Sequence, residues 1–295
     1  MPYTYTVYHL TFQTPFPCPI LPPALPAAAP DVVVQDGIVP LQLAAPAIAG
    51  ANWQAEPGRF LWRGGPRAGR FLVEAGDRVT VQRSPRAEEE LLAFHFLDSV
   101  LAAVLRQRGL LVLHANAAVT PAGPALAVSG DSGAGKSTTL AALLARGGAM
   151  LADDLTALRL GATGVVEVLP GVPQLHLCAD AAEGLGQDIS ALPRYQWRRM
   201  KAAVPAVVSA AAPLRALYLL RIGAGAEVRL DPLRGAAKFA AVQECVYGPL
   251  LPQEHPDLFR LFAALTDQVP VYRLERPAGL WTVDTLVEMM LNHSF

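Results

Sequence analysis

The stretch Ser129-Gly130-Asp131-Ser132-Gly133-Ala134-Gly135-Lys136-Ser137-Thr138 carries the densest chemistry in the chain. Gly130, followed by Gly135-Lys136-Ser137, fits the spacing G-x-x-x-x-G-K-[ST], with Asp131, Ser132, Gly133 and Ala134 in the variable positions. Glycines at these places let the backbone wind so that successive N–H groups converge on phosphate oxygens. Lys136 can then reach the terminal phosphates, and the Ser137 hydroxyl can ligate Mg²⁺. The chain holds three lysines, Lys136, Lys201 and Lys238. With lysine that scarce, the pattern arises by chance in roughly one such chain in a thousand. A nucleoside triphosphate is the expected ligand.

A second stretch, Met150-Leu151-Ala152-Asp153-Asp154, reads as a short apolar strand that ends in two carboxylates. One can hold Mg²⁺, directly or through water, while the other faces an acceptor hydroxyl and takes its proton. The residues alone leave open the plainer alternative of one metal ligand beside a turn residue. No glutamate follows to orient a water, as in many ATP hydrolases, and neither N-K-x-D nor L-S-G-G-Q occurs.

The elements that must position these groups follow from the pattern around them. Ala125-Leu126-Ala127-Val128 is a buried strand, Ser137 to Arg146 a helix, and Gly147-Gly148 its left-handed stop. The helix N-terminus adds positive dipole at the phosphates. Upstream, Leu110-Leu111-Val112-Leu113-His114 is an apolar strand ending in histidine. Downstream, strands are expected at 155–160, 165–169, 216–222, 227–230 and 269–274, and helices at about 235–246, 256–266 and 282–291. Residues 180–208, including Arg194, Arg198, Arg199 and Lys201, read as a mobile loop or lid, or equally as a solvated basic loop. Residues 1–83 form a small β-rich N-terminal domain, with Ala75-Gly76-Asp77 turning a hairpin and His9 as a lone strand histidine. Ser84-Pro85 then opens a connecting helix, residues 84–109, with Ser84 as N-cap and Gly109 as its stop. Residues 110–295 make up the nucleotide-binding domain. The expected class is α/β, a mixed sheet with flanking helices.

Composition excludes several classes. The net charge is −1 and no basic run occurs, which argues against nucleic acid as a partner. Half the residues are hydrophobic, at 52%, yet proline breaks the richest runs, so no membrane span is expected. Cys18, Cys178 and Cys245 are widely spaced and include no C-x-x-C pair, as suits reduced thiols in a cytoplasm.

Taken together, Leu113-His114, the loop from Gly130 to Ser137, Arg146-Gly147 and Leu151-Ala152-Asp153-Asp154 resemble the catalytic core of the bacterial HPr serine kinase/phosphorylases. The resemblance implies a P-loop kinase core of HPr-kinase type using ATP and Mg²⁺. It places Lys136 on the phosphates and Ser137 and Asp153 on the metal. Asp154 would be the base that takes a serine proton, and His114 an active-site histidine paired with Asp153. The family's glutamate ligand, expected near Val168 to Gly171, is absent unless Glu167 replaces it. The layout, with Pro213-Leu214-Arg215-Ala216-Leu217 further on, is also similar to the HPr-kinase-like proteins of peptide-modification clusters, some of which phosphorylate a serine of a lasso-peptide precursor. The implied partner is a peptide or small protein bearing the acceptor serine, with no nucleic acid or membrane, and a homo-oligomer stays open. A kinase of a sugar or metabolite, HPr kinase proper, and a non-catalytic nucleotide sensor are the alternatives.

Overall fold

The computed structural model describes residues 2–25, 29–186, 194–195, 199–202, 207–248 and 255–293. It is a mixed α/β chain whose contacts group into two units. The first comprises residues 1–112 together with 247–260, and the second 113–246 together with 261–295.

The first unit opens with an eight-stranded sheet. Its strands are β1 (Tyr3–Val7), β2 (Leu10–Thr14), β3 (Val32–Asp36), β4 (Ile48–Ala49), β5 (Trp53–Glu56), β6 (Arg59–Gly65), β7 (Gly69–Glu74) and β8 (Arg78–Arg83), in the order β1-β2-β3-β8-β7-β6-β5-β4. Alternating burial along β8 sends Val79 and Val81 inward, as a period of two requires, whereas β7 buries Phe71, Leu72 and Val73 in a row, with Leu72 packed among Val39, Leu43 and Leu61. The β7–β8 hairpin turns at Ala75 and Gly76, both at positive φ (51° and 71°), the geometry whose twist matches the flanking strands. His9 was expected on a strand. It instead shares the β1–β2 turn with Tyr8, at φ 58° and 53°, because five consecutive pairs between Tyr3–Val7 and Leu10–Thr14 leave only these two residues to reverse the chain.

The helical segment also begins later than its sequence suggests. The Ser84 hydroxyl donates to the Pro66 carbonyl, and the Glu88 N–H to that of Arg67, so residues 84–88 are tied to the β6–β7 turn. Helix α1 therefore covers Glu89–His95, a π turn follows at Phe96–Val100, and α2 covers Leu101–Gln107. Gly109, at φ 82°, ends α2, with Leu110 N–H on the Leu105 carbonyl and Gly109 N–H on that of Arg106. By its contacts this segment belongs to the first unit. Phe96 is fully buried and meets Phe12 and Phe16 edge-on at 5.8 and 5.7 Å.

In the second unit, β9 (Leu111–Val119, entering from the first unit), β10 (Ala125–Gly130), α3 (Lys136–Ala145), β11 (Ala149–Ala152), β12 (Leu155–Leu160) and β13 (Val166–Val168) come first. Next are β14 (Leu175–Cys178), α4 (Ala179–Gly184), β15 (Arg194–Tyr195), β16 (Arg199–Ala202), β17 (Ala212–Gly223), β18 (Arg229–Leu233) and α5 (Gly235–Cys245). Last are α6 (Pro256–Gln268), which begins in the first unit, β19 (Val271–Pro277) and α7 (Val283–Asn292). The sheet runs β10-β9-β12-β13-β17-β19-β18, and β10 also pairs with β17 in parallel, so the path from β10 through β13 to β17 closes on itself. β11 pairs with β9. Leu140, Leu143 and Leu144 of α3 pack with Val283 and Val287 of α7 and Leu175 and Leu177 of β14.

The region expected to be a loop, 180–208, is in part a small sheet of order β14-β16-β15. Arg194, Arg199 and Lys201 stand on its strands, while Arg198 lies outside the described residues. Cross-strand hydrogen bonding to Leu175–Cys178 recruited this segment, a non-local pairing that local composition does not reveal. Among the described residues no helix is long and apolar enough to cross a membrane.

Two measurements check this description. Ala75→Asn puts a residue that tolerates left-handed backbone at the first turn position and is expected to raise the melting temperature by about 2–4 °C, whereas Gly76→Ala lowers it. Burial pushes the Cys18 thiol up to about 12, Cys245 is buried and Cys178 exposed. A thiol reagent at pH 8 should therefore label Cys178 in the folded protein and reach Cys18 and Cys245 only after denaturation.

Candidate functional site

The site grows from the end of β10. Gly130 sits at φ 147°, and a Cβ there would lie 2.2 Å from the Leu220 carbonyl oxygen, so the strand can leave the sheet at this point only as glycine. Gly133 and Gly135, at φ 82° and 111°, complete the turn that delivers the chain into α3. The Thr139 hydroxyl donates to the Gly135 carbonyl at 3.0 Å and helps fix the first turn. Asp131, Ser132 and Gly133 are exposed, Ala134 is buried, and Thr138 is half-buried on α3.

Lys136 is buried and curls back over its own loop, with Nζ donating to the carbonyls of Gly130 at 2.8 Å and Asp131 at 3.3 Å. From β19, Arg276 Nε donates to the Ala134 carbonyl at 2.7 Å. Arg221 of β17 pairs with Asp131 at 2.7 Å and also with Glu244. The charge of Arg221 is met by these two carboxylates, so Lys136 and Arg276 are the cations that donate to carbonyl oxygens at the loop.

The acidic pair meets the start of α3. Asp153 follows β11 and is buried. Its Oδ1 accepts from the Ser137 hydroxyl at 3.4 Å, and its Oδ2 from the His176 N–H at 3.0 Å. Asp154 is left-handed, φ 62°, an uncommon state for a residue with a Cβ but one that aspartate tolerates. This reversal turns the second carboxylate outward, with 37% of its side chain exposed and Oδ1 3.9 Å from Nε2 of the half-buried His114. His114 was expected beside Asp153. Because consecutive carboxylates at a left-handed turn point apart, it faces Asp154, and the imidazole near Asp153 is His176, whose Nδ1 is 3.8 Å from Oδ2.

One residue that the motifs do not include joins these parts. Asn116 of β9 is 1% exposed. Its Nδ2 donates to Ser137 Oγ at 3.2 Å, and its Oδ1 accepts from the Asp154 N–H at 3.1 Å. A single carboxamide thus spans the helix start and the acidic turn. Ser129 adds a second tie, its hydroxyl donating to the His114 carbonyl at 2.8 Å. Asn116, His176, Arg221 and Arg276 escape a reading by motif. Only Asn116, two residues beyond His114 on the same strand, carried a local signal.

The donor set suits Mg²⁺ of the nucleotide-bound kind. That ion takes one or two protein oxygens and fills its remaining positions with phosphate oxygens and water, which Ser137 Oγ and Asp153 Oδ1 match. Among the described residues no three His, Cys, Asp or Glu side chains gather as a metal-holding group. A strand, a glycine-rich turn, a helix N-terminus and a carboxylate strand end meet at this place in the second unit.

No family model matches the chain, and no curated protein matches it. Among solved structures it is similar to the Hpr(Ser) kinase/phosphatase from Coxiella burnetii, at 14% identity and a TM-score of 0.32, over 62% of this chain and 89% of that one. The functional reading below rests on the site.

Asn116→Ala should lower stability by about 1–3 kcal/mol, since it removes the acceptor of the Asp154 N–H and the donor to Ser137 Oγ. Urea unfolding checks this, with a lower midpoint at unchanged slope expected.

Proposed function

We propose that this chain is an ATP-dependent kinase that transfers the γ-phosphoryl group to a serine hydroxyl of a peptide or small protein. The observation that carries the reading is the pair of carboxylates held in opposite roles. Asp153 is turned inward onto Ser137, and Asp154 is turned outward beside His114. A hydrolase of the transporter or motor kind needs a residue that orients water, whereas a partly exposed aspartate at this position suits an alcohol.

The geometry supports the following roles. The loop N–H groups from Asp131 to Lys136 and the α3 N-terminus hold the phosphates. Lys136 exchanges its two carbonyl partners for phosphate oxygens, and Arg276 and Arg221 keep the loop in shape from β19 and β17. Ser137 and Asp153 would hold Mg²⁺, which supplies charge neutralisation at the phosphates. Asp154 accepts the proton of the acceptor hydroxyl as its oxygen bonds to phosphorus and the bond to the leaving oxygen breaks. At 3.9 Å, beyond a hydrogen bond but within ion-pair range, His114 orients that carboxylate and, when protonated, stabilises its charge. The particular acceptor implied by the sequence resemblance is a serine near the C-terminus of a lasso-peptide precursor.

The test is phosphotransfer read by mass spectrometry, with protein, ATP and Mg²⁺ against serine-terminated peptides and, separately, HPr. An added phosphate on a peptide serine is expected. Asp154→Asn should keep ATP binding and slow transfer roughly 10²–10⁴-fold, the range for loss of a general base. Lys136→Ala should abolish transfer. Transfer to neither acceptor, or an Asp154→Asn protein as fast as the parent, overturns the proposal.

A further inference from the structure

The first unit contains a cavity of about 630 Å³, within the range of small-molecule sites. All its walls belong to that unit. One side is aromatic: Trp53 and Phe60 stack at 6.1 Å, and Trp62 lies alongside. The other side is made by the π turn, a rare helical geometry that recurs at functional sites, and it brings Asp98 and Ser99 to the cavity wall.

Asp98 is the group that decides what the cavity would take. Its Oδ1 accepts from the Tyr247 hydroxyl at 2.8 Å and its Oδ2 from the Ser99 hydroxyl at 3.1 Å. Both donors are neutral, and among the described residues no arginine, lysine or histidine forms an ion pair with it. The nearby His95 is held toward its neutral form, because burial lowers its pKa more than the Asp98 charge raises it. The other charged groups of the wall are differently placed. Arg59 meets Glu56 at 2.9 Å and Glu74 at 3.2 Å, and His255 Nδ1 is 3.5 Å from Asp257. Arg106 donates to the Tyr247 carbonyl at 3.0 Å. A carboxylate fixed by two hydroxyls, with lone pairs remaining, in a cavity that tryptophan side chains also line, is the chemistry that suits an organic cation.

We infer that this cavity is a binding site for an aryl- or alkylammonium group, with the apolar body against Trp53, Phe60 and Trp62 and the ammonium on Asp98. The group comes either from a free amine or from the N-terminus of a peptide with an aromatic first residue. Its lining includes none of the residues of the glycine-rich loop or the acidic pair, and the inference does not depend on their function.

The test uses the full chain and isothermal titration, supported by saturation-transfer NMR, with phenethylamine as the probe. 3-Phenylpropionate carries the opposite charge on the same body, and Phe-Gly-Gly and its N-acetylated form represent the peptide source. Phenethylamine is expected to bind at least about tenfold tighter than 3-phenylpropionate, and Asp98→Asn, which keeps an acceptor for Tyr247, to weaken it about tenfold. Ala103→Leu, which narrows the cavity, should also remove binding, while Lys136→Ala leaves it unchanged. Tighter binding of Phe-Gly-Gly than of phenethylamine, lost on acetylation, assigns the peptide source, and the reverse order the free amine. Equal binding of the carboxylate probe, parental affinity in Asp98→Asn, or no binding of phenethylamine would overturn the inference.

Discussion

The site depends on one buried carboxamide. Asn116 donates from one end to Ser137 and accepts at the other from the backbone of Asp154, so the helix start and the acidic turn cannot shift independently. Both hydrogen bonds are made by a side chain that is buried, and in such a place losing a partner costs more than the bond itself contributes. The strand that carries Asn116 is paired on both sides, to β10 and to β11, and these are the strands that lead into the glycine-rich loop and into Asp153. One register therefore sets the phosphate loop, the inward carboxylate and the outward one together.

Around that tie the backbone does work that side chains alone could not. Gly130 leaves β10 at a point where a Cβ would collide with the Leu220 carbonyl, and Gly135 sits left-handed immediately before Lys136. Asp154 accepts the left-handed state without being glycine. That conformation separates two neighbouring carboxylates into different environments, one buried against a hydroxyl and one partly exposed beside an imidazole. Different environments are the usual means by which a pair of like groups takes unlike roles.

Much of this was legible in the sequence, for a physical reason. The loop motif, its strand, its helix and the glycine stop are contiguous, and each is set by short-range rules of φ, hydrogen bonding and apolar spacing. The Schellman-type end at Gly147-Gly148, with Gly148 N–H on the Leu143 carbonyl and Gly147 N–H on that of Leu144, is one such rule realised. What the chain did not reveal is long-range. Arg276 reaches Ala134 across 142 positions, and Asn116 reaches Asp154 across 38. The start of α1 was misread because Ser84 has the right type for an N-cap, while its hydroxyl is engaged by the Pro66 carbonyl in a turn that only the folded sheet creates. His114 was assigned to the wrong member of the acidic pair because the left-handed φ of Asp154 has no signature in an Asp-Asp dipeptide.

The most direct test of the account is calorimetric titration with ATP, in Mg²⁺ and again in EDTA, of the parent protein and of Asp153→Asn. If Ser137 and Asp153 hold the metal beside the phosphate loop, Mg²⁺ tightens ATP binding in the parent by about tenfold or more, and that gain disappears in Asp153→Asn while metal-free binding persists. A parent protein that binds no ATP, or a variant that keeps the full Mg²⁺ gain, would contradict it.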